Sequence, residues 1–261
     1  SASAKKTSDY DKLFKGKKCQ TVKGLVTIHK VDGEKLYFEL PMSIFGREML
    51  LGSTVSETSS NDHGVVGYKA KTPLHVTFAK EGHKSVQLCL VNDIYSGDGK
   101  DKGIDEAVRR SSIPGIYRAF KIEAYNADST AVVIENTALF MGDNEHLKAF
   151  EARGMGPLHI SKASYKADRS LLRDVEGGKE YASVLSDMTY GVTTQYFIFI
   201  ICKDKPFTAL ARRTVTMLPE ECAPARIADP RIGVLPVPFT RFTAEQGSRP
   251  AYFASRIDFR K

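Results

Sequence analysis

Six histidines, four cysteines and a scatter of carboxylates are the groups with which this sequence could do chemistry. Hydrolysis by a metal-activated water needs two imidazoles one helical turn apart with a general base between them, as in His-Glu-x-x-His. His29, His63, His75, His83, His146 and His159 contain no such pair. His75 and His83 stand on either side of a hairpin turn and can face each other, an arrangement more often solvated than metal-bound. Cys19, Cys89, Cys202 and Cys222 form no Cys-x-x-Cys, so neither a structural zinc site nor a redox dithiol is expected. Cys202 closes the apolar run Tyr196–Ile201 and is expected to be a buried, inert thiol. A Cys202–Cys222 disulfide stays open in an oxidising compartment.

Ser96–Gly103 has the composition of a calcium loop, but an EF-hand starting at Asp98 puts Lys100 and Lys102 at ligand positions, where cation would repel cation. Gly154-x-Gly156 runs into Pro157 without the third glycine of a dinucleotide fingerprint. Neither Gly-x-Ser-x-Gly nor a P-loop occurs. The residues alone therefore point to no catalytic, cofactor-binding or metal-binding side chain. One stretch stands out as a structural junction or interdomain contact: Asp229, Pro230, Arg231 and Gly233. Asp-Pro favours an extended, turn-prone backbone, and the planar fork of Arg231 suits a carboxylate or backbone carbonyls.

The 261 residues carry 38 Lys and Arg against 31 Asp and Glu, a formal charge of +7. Residues 1–18 hold six lysines and two aspartates, and residues 226–261 hold six arginines and one lysine against three acids, so the body is nearly neutral. A nucleic-acid surface concentrates base and aromatic side chains on one groove or helix; charge gathered at the ends does not, and no nucleic-acid partner is expected. The longest apolar run, Tyr196–Cys202, is far too short for a membrane-spanning helix, and none is expected.

The elements that would position these groups are mostly strands. Lys23–Lys30 and Lys35–Leu40 flank Asp32-Gly33, the strongest short-range hairpin signal. Leu74–Phe78 with Ser85–Leu90, and Tyr117–Tyr125 with Thr130–Glu135, make two further hairpins. Met42–Glu48, Ile104–Arg110 and Asn136–Phe150 are the helical candidates, and the Ser/Thr-rich Ser53–Gly64 is expected to be a loop. Four more strand-type runs follow: His159–Tyr165, Tyr181–Tyr190, Gln195–Lys203 and Ala209–Leu218. A Pro-rich extended region then leads to a last strand over Ala251–Phe259. The pattern predicts a β-dominated α+β fold of antiparallel sheets, a sandwich or part-closed barrel with a few short helices. Its expected organisation is a flexible basic arm (1–18), a small β-hairpin subdomain (19–64) and a larger β-rich domain (65–261), with two lobes dividing near residue 65.

Several segments together resemble a known family. They are Lys23–Asp32 with Tyr37–Leu40 and Phe45-Gly46-Arg47, then Asp168-Arg169-Ser170, Leu185-Ser186-Asp187, Leu218-Pro219-Glu220 and Ala228–Gly233. Their order is similar to the paired N-terminal domains of unknown function that precede the catalytic domain in large bacterial zinc-dependent metallopeptidases of the metzincin-like type. The resemblance spans about residues 20–260 and departs at Val234-Leu235, where an aromatic commonly follows. It implies a non-catalytic accessory region, no peptidase activity in this chain, and zinc held by His-Glu-x-x-His in a domain beyond Lys261. It further implies a downstream peptidase domain of the same polypeptide as partner, and a periplasmic, outer-membrane-associated or secreted location. Two other roles stay open. One is a module binding an extracellular peptide, protein or glycan; the other is an inhibitory pro-domain. For the latter, Pro230-Arg231-Ile232-Gly233 carries Ile where a zinc-blocking loop carries its thiol, which leaves Cys222 or Asp229 for that task.

Overall fold

The computed structural model describes residues 8–63, 65–91, 95–152, 157–220 and 236–254. In chain order these form α1 (Asp9–Phe14), β1 (Cys19–Val22), β2 (Thr27–Val31), β3 (Lys35–Pro41), β4 (Glu48–Thr58), β5 (Leu74–Glu81), β6 (Ser85–Leu90) and β7 (Tyr95–Ser96). There follow α2 (Lys102–Ser111), β8 (Gly115–Tyr125), β9 (Ala131–Glu135), α3 (Thr137–Met141), β10 (His159–Tyr165), β11 (Leu171–Gly178), β12 (Tyr181–Tyr196), β13 (Phe199–Met217), β14 (Pro236–Thr243) and β15 (Gly247–Ala254). Strand dominates and helix is short, as the alternation and turn residues predict.

Two compact units share the chain. One takes residues 1–88 and 118–217, the other 89–117 and 218–261. The first is a large antiparallel sheet in the order β1-β2-β3-β9-β8-β6-β5-β4-β13-β12-β10, with β11 also on β12, and it curls into a nearly closed, barrel-like form. At the β2–β3 turn Asp32 (φ 53°) and Gly33 (φ 77°) both take the left-handed conformation of a type I′ hairpin. The two margins of the sheet meet where Leu25 N–H donates to Gly178 O at 2.7 Å and the Gln20 amide donates to Asp174 at 2.8 Å. That seam needs glycine: a Cβ on Gly24 would stand 2.6 Å from Gly178 O. In the second unit β14 and β15 pair antiparallel, Phe239 stacks on Phe253 at 4.0 Å, and β7 adds a short parallel edge.

The core of the first unit lies on the inner face of β4, β12 and β13, where Val55, Met188, Tyr190, Val192, Phe207, Ala209 and Ala211 pack with Ala149 and Phe150. The last two belong to the segment between β9 and β10, which lays Leu139, Phe140, Leu147 and Phe150 into the interior. Phe140 meets Phe38 at 5.1 Å and Phe150 meets Phe207 at 4.6 Å. Such a segment carries backbone carbonyls into an apolar interior, and each needs a donor. Arg213 on β13 is 0% exposed and supplies two, with Nη1 at 2.9 Å from both Leu139 O and Gly142 O. Asn144 Nδ2 donates to Leu139 O at 2.9 Å, Ser186 Oγ to Phe140 O, and Tyr165 OH to Met141 O. Burial pushes the Tyr190 phenol well above its ordinary range, and its hydroxyl donates to Asp143 at 3.3 Å.

Several expectations about single elements need correction. Ser53–Thr58 is strand, the outer half of β4, whose buried Ser53 and Val55 alternate with half-buried Thr54 and Ser56; Ser and Thr here line a sheet facing solvent on one side rather than a loop. Asn136–Phe150 is helical only over α3 and one 3₁₀ turn at Glu145–Leu147. Gln195–Lys203 is two strands with a turn between them. The runs Phe199–Lys203 and Ala209–Met217 then join through Pro206 as one long strand. Hydrogen bonding runs across the expected division near residue 65, since β4 before it pairs with both β5 and β13 after it.

Residues 9–14 of the expected flexible arm form α1, capped by Ser8 Oγ accepting from Asp11 N–H at 3.0 Å. It lies on the outer face of the sheet, with Tyr10, Leu13 and Phe14 against Val31, Tyr37 and Val133.

Candidate functional site

Strands β12 and β13 form the longest hairpin of the fold, and its far end has an unusual chemistry. Tyr196 pairs with Phe199, so Phe197 and Ile198 alone make the turn. A two-residue turn demands positive φ, which favours Gly, Asn or Asp. Phe197 adopts φ 53° instead, a conformation costing a bulky residue about 1 kcal/mol or more. Beyond the point where the hairpin leaves the core, both of its faces meet solvent. Phe197, Ile198, Phe199 and Ile201 are 62–73% exposed, with Tyr196 and Ile200 beside them. The neighbouring β10 adds exposed Leu158 and Ile160, because His159 pairs with Tyr196 and Ile160 with Gln195. Eight large apolar side chains thus share one end of a three-stranded ribbon, more than the singly scattered apolar residues of an ordinary surface.

Behind this end stand lysines. Lys162 on β10 and Lys203 and Lys205 on β13 are exposed. The nearest carboxylate along the hairpin, Asp204, pairs with Lys166 at 2.9 Å, and that bond holds its carboxyl below the usual range. Lys205 lies 3.8 Å from Asp62. Cys202, expected to be buried and inert, is only half-buried at the edge of the apolar end, with its Sγ facing Val192 O. The sequence reads Gln195–Lys203 as one strand, since periodicity cannot reveal a turn made of Phe and Ile.

A second cluster sits under α1. His29 is 6% exposed; its Nδ1 lies 3.0 Å from Thr21 Oγ1 and its Nε2 3.0 Å from Glu39 Oε2. Tyr10 OH donates to the same Glu39 oxygen at 3.0 Å, and Phe14 covers the imidazole at 4.4 Å. A hydroxyl, an imidazole and a carboxylate in line is also the order of a nucleophile, base and orienting group. Here the carboxylate is shared with a helix side chain and the ring is roofed by Phe14, so the cluster clamps α1 to the sheet. Thr21 and Glu39 stand 8 and 10 residues from His29 and are joined to it by the register of β1 on β2 and β2 on β3, and α1 brings Tyr10 to them.

Burial, then the Glu39 carboxylate, push the Tyr10 phenol from its ordinary 10 up to about 12. A raised pKa means that the folded state holds the proton longer, so this contribution is whole below pH 10 and is lost between pH 10 and about 12. We expect α1 to detach over that interval, seen as a tyrosine ionisation step in an ultraviolet pH titration. The step should vanish in Tyr10→Phe; an unchanged step would assign it to another tyrosine.

Of the other residues with chemical potential, His75 Nε2 lies 2.9 Å from Glu48 Oε2 across β4 and β5. In the calcium-like stretch Asp101 caps α2, its carboxylate accepting from Gly103 and Ile104 N–H, and Asp98 accepts from Lys100 N–H. Among the described residues no three His, Cys, Asp or Glu side chains gather as a metal-binding group. Asp229, Pro230, Arg231 and Gly233, the expected junction, lie outside the described residues, as does Cys222.

Among the described residues the barrel-like unit thus carries one apolar hairpin end with lysines behind it. The family model described as Domain of unknown function (DUF5117) matches residues 67–259, and the chain belongs to that family. A second model, Domain of unknown function (DUF5118), matches residues 7–58, so two such regions stand side by side. No curated protein and no solved structure matches the chain.

Proposed function

We propose that this chain is the non-catalytic accessory region of an extracytoplasmic zinc metallopeptidase and contributes a binding surface to the polypeptide that carries the catalytic domain. The observation that carries the binding role is the hairpin end, where Tyr196–Ile201 lie exposed in a fold that buries its other long apolar strands. The peptidase connection rests on the order of Lys23–Asp32, Asp168-Arg169-Ser170 and Ala228–Gly233, which resembles that of the paired domains preceding such catalytic domains. A surface built from exposed apolar side chains supports attachment; the groups that an inhibitory role would use, Cys222 or Asp229, lie outside the described residues.

The test compares this chain with the whole polypeptide it belongs to, by elemental analysis and casein cleavage. The whole polypeptide should hold about one zinc per chain and lose turnover with a chelator, while this chain alone should show neither. A whole polypeptide without zinc, or zinc and turnover in this chain alone, would overturn the reading.

A further inference from the structure

We infer that the end of the β12–β13 hairpin inserts into the interfacial layer of an anionic phospholipid surface, an inference that rests on the reading of this end as the binding surface. Depth, side-chain type and charge agree. From the Gln195–Ile200 pair to the tip is about three residues, or about 10 Å of strand, close to the roughly 5–10 Å that interfacial segments enter. Within that depth every side chain from Tyr196 to Ile200 is apolar or aromatic, and Leu158 and Ile160 of β10 lie alongside. Immediately behind it come Lys162 and Lys203, then Lys205 at 3.8 Å from Asp62, while the nearer acid Asp204 is engaged by Lys166. Protein–protein interfaces are depleted in Lys, whereas a collar of Lys above apolar side chains matches anionic headgroups. Phe197 kept at a position suited to Gly fits the same use: the turn bears strain and retains an apolar side chain at its most advanced point.

The intact chain is to be sedimented with vesicles of phosphatidylcholine mixed with phosphatidylglycerol, and with phosphatidylcholine alone. Binding to the mixed vesicles should exceed that to the neutral ones about tenfold and weaken in high salt. The triple variant Phe197→Ser, Ile198→Ser, Phe199→Ser should lose binding with an unchanged melting curve, since these side chains leave no cavity. Lys162→Gln and Lys203→Gln should each weaken it about fivefold. Equal binding by the triple variant, or no preference for anionic vesicles, overturns the inference. Hydrogen exchange of residues 195–202 in the whole polypeptide separates the two readings. Protection without vesicles, alongside failure to sediment, would overturn the lipid assignment and leave the binding-surface reading standing with a protein occupant. Free exchange with and without vesicles would remove both.

Discussion

Replacing Arg213 with Met should cost about 3–5 kcal/mol of stability, the largest single loss expected in this fold. Met keeps the length and most of the volume of the stem but cannot donate. The carbonyls of Leu139 and Gly142, each 2.9 Å from Nη1, would then lie in the interior without that charged donor. Hydrogen bonds from a charged group contribute about 1.5–3 kcal/mol each, so two of them set the scale. Asn144 Nδ2, already on Leu139 O, offers only partial compensation. The measurement is denaturant unfolding, with near-ultraviolet circular dichroism to follow Tyr190 and Tyr165, which contact the same segment. A loss below about 1 kcal/mol would mean that the segment is held by its apolar side chains and not by this guanidinium.

Gly24→Val should cost about 2–3 kcal/mol for a reason of the opposite kind. Nothing is removed; a side chain is forced against backbone, since even a Cβ would stand 2.6 Å from Gly178 O and 2.8 Å from Gly178 N. Backbone cannot swing aside as a lysine stem can, so the seam must open, and with it the bond from Leu25 N–H to Gly178 O. The expected signature is faster hydrogen exchange at residue 25 along with the lower melting point. Gly33→Ala, at a turn where a Cβ meets nothing within 4 Å, serves as the comparison, because it adds φ strain without any clash. Equal effects of the two variants would show that closure at the seam contributes little.

How far the sequence speaks depends on whether a feature is local. Asp32-Gly33 announces its hairpin because both residues tolerate positive φ. The preponderance of strand follows from β-branched and aromatic runs bounded by turn residues. The sheet's closure is silent, because Gly24 and Gly178 touch through the absence of side chains. Arg213 is silent too: an arginine in a strand is ordinarily a solvent-facing residue, and only the carbonyls of a segment some 70 residues earlier make its burial tolerable. The apolar end of the hairpin shows in the sequence as a run that reads as one strand, with Cys202 buried at its close. Composition reports that Tyr196–Ile201 are apolar; topology alone decides that the chain reverses at Phe197-Ile198 and carries them outward.

The pairing of β4 between β5 and β13 has a consequence for how the protein is made. Ser53 lies opposite Arg213, about 160 residues later in the chain. At a synthesis rate of about 5–20 residues per second, β4 emerges from the ribosome about 10–30 s before the strand that completes its hydrogen bonds. Throughout that interval Met49, Leu51 and Val55, all buried in the finished fold, sit on a strand with one open edge. Long-range pairing of this kind also makes for slow refolding, since the loop must close before the contact rewards it. A chain halted before residue 199 therefore lacks the strand that pairs with Met49–Thr58 and should expose Met49, Leu51 and Val55.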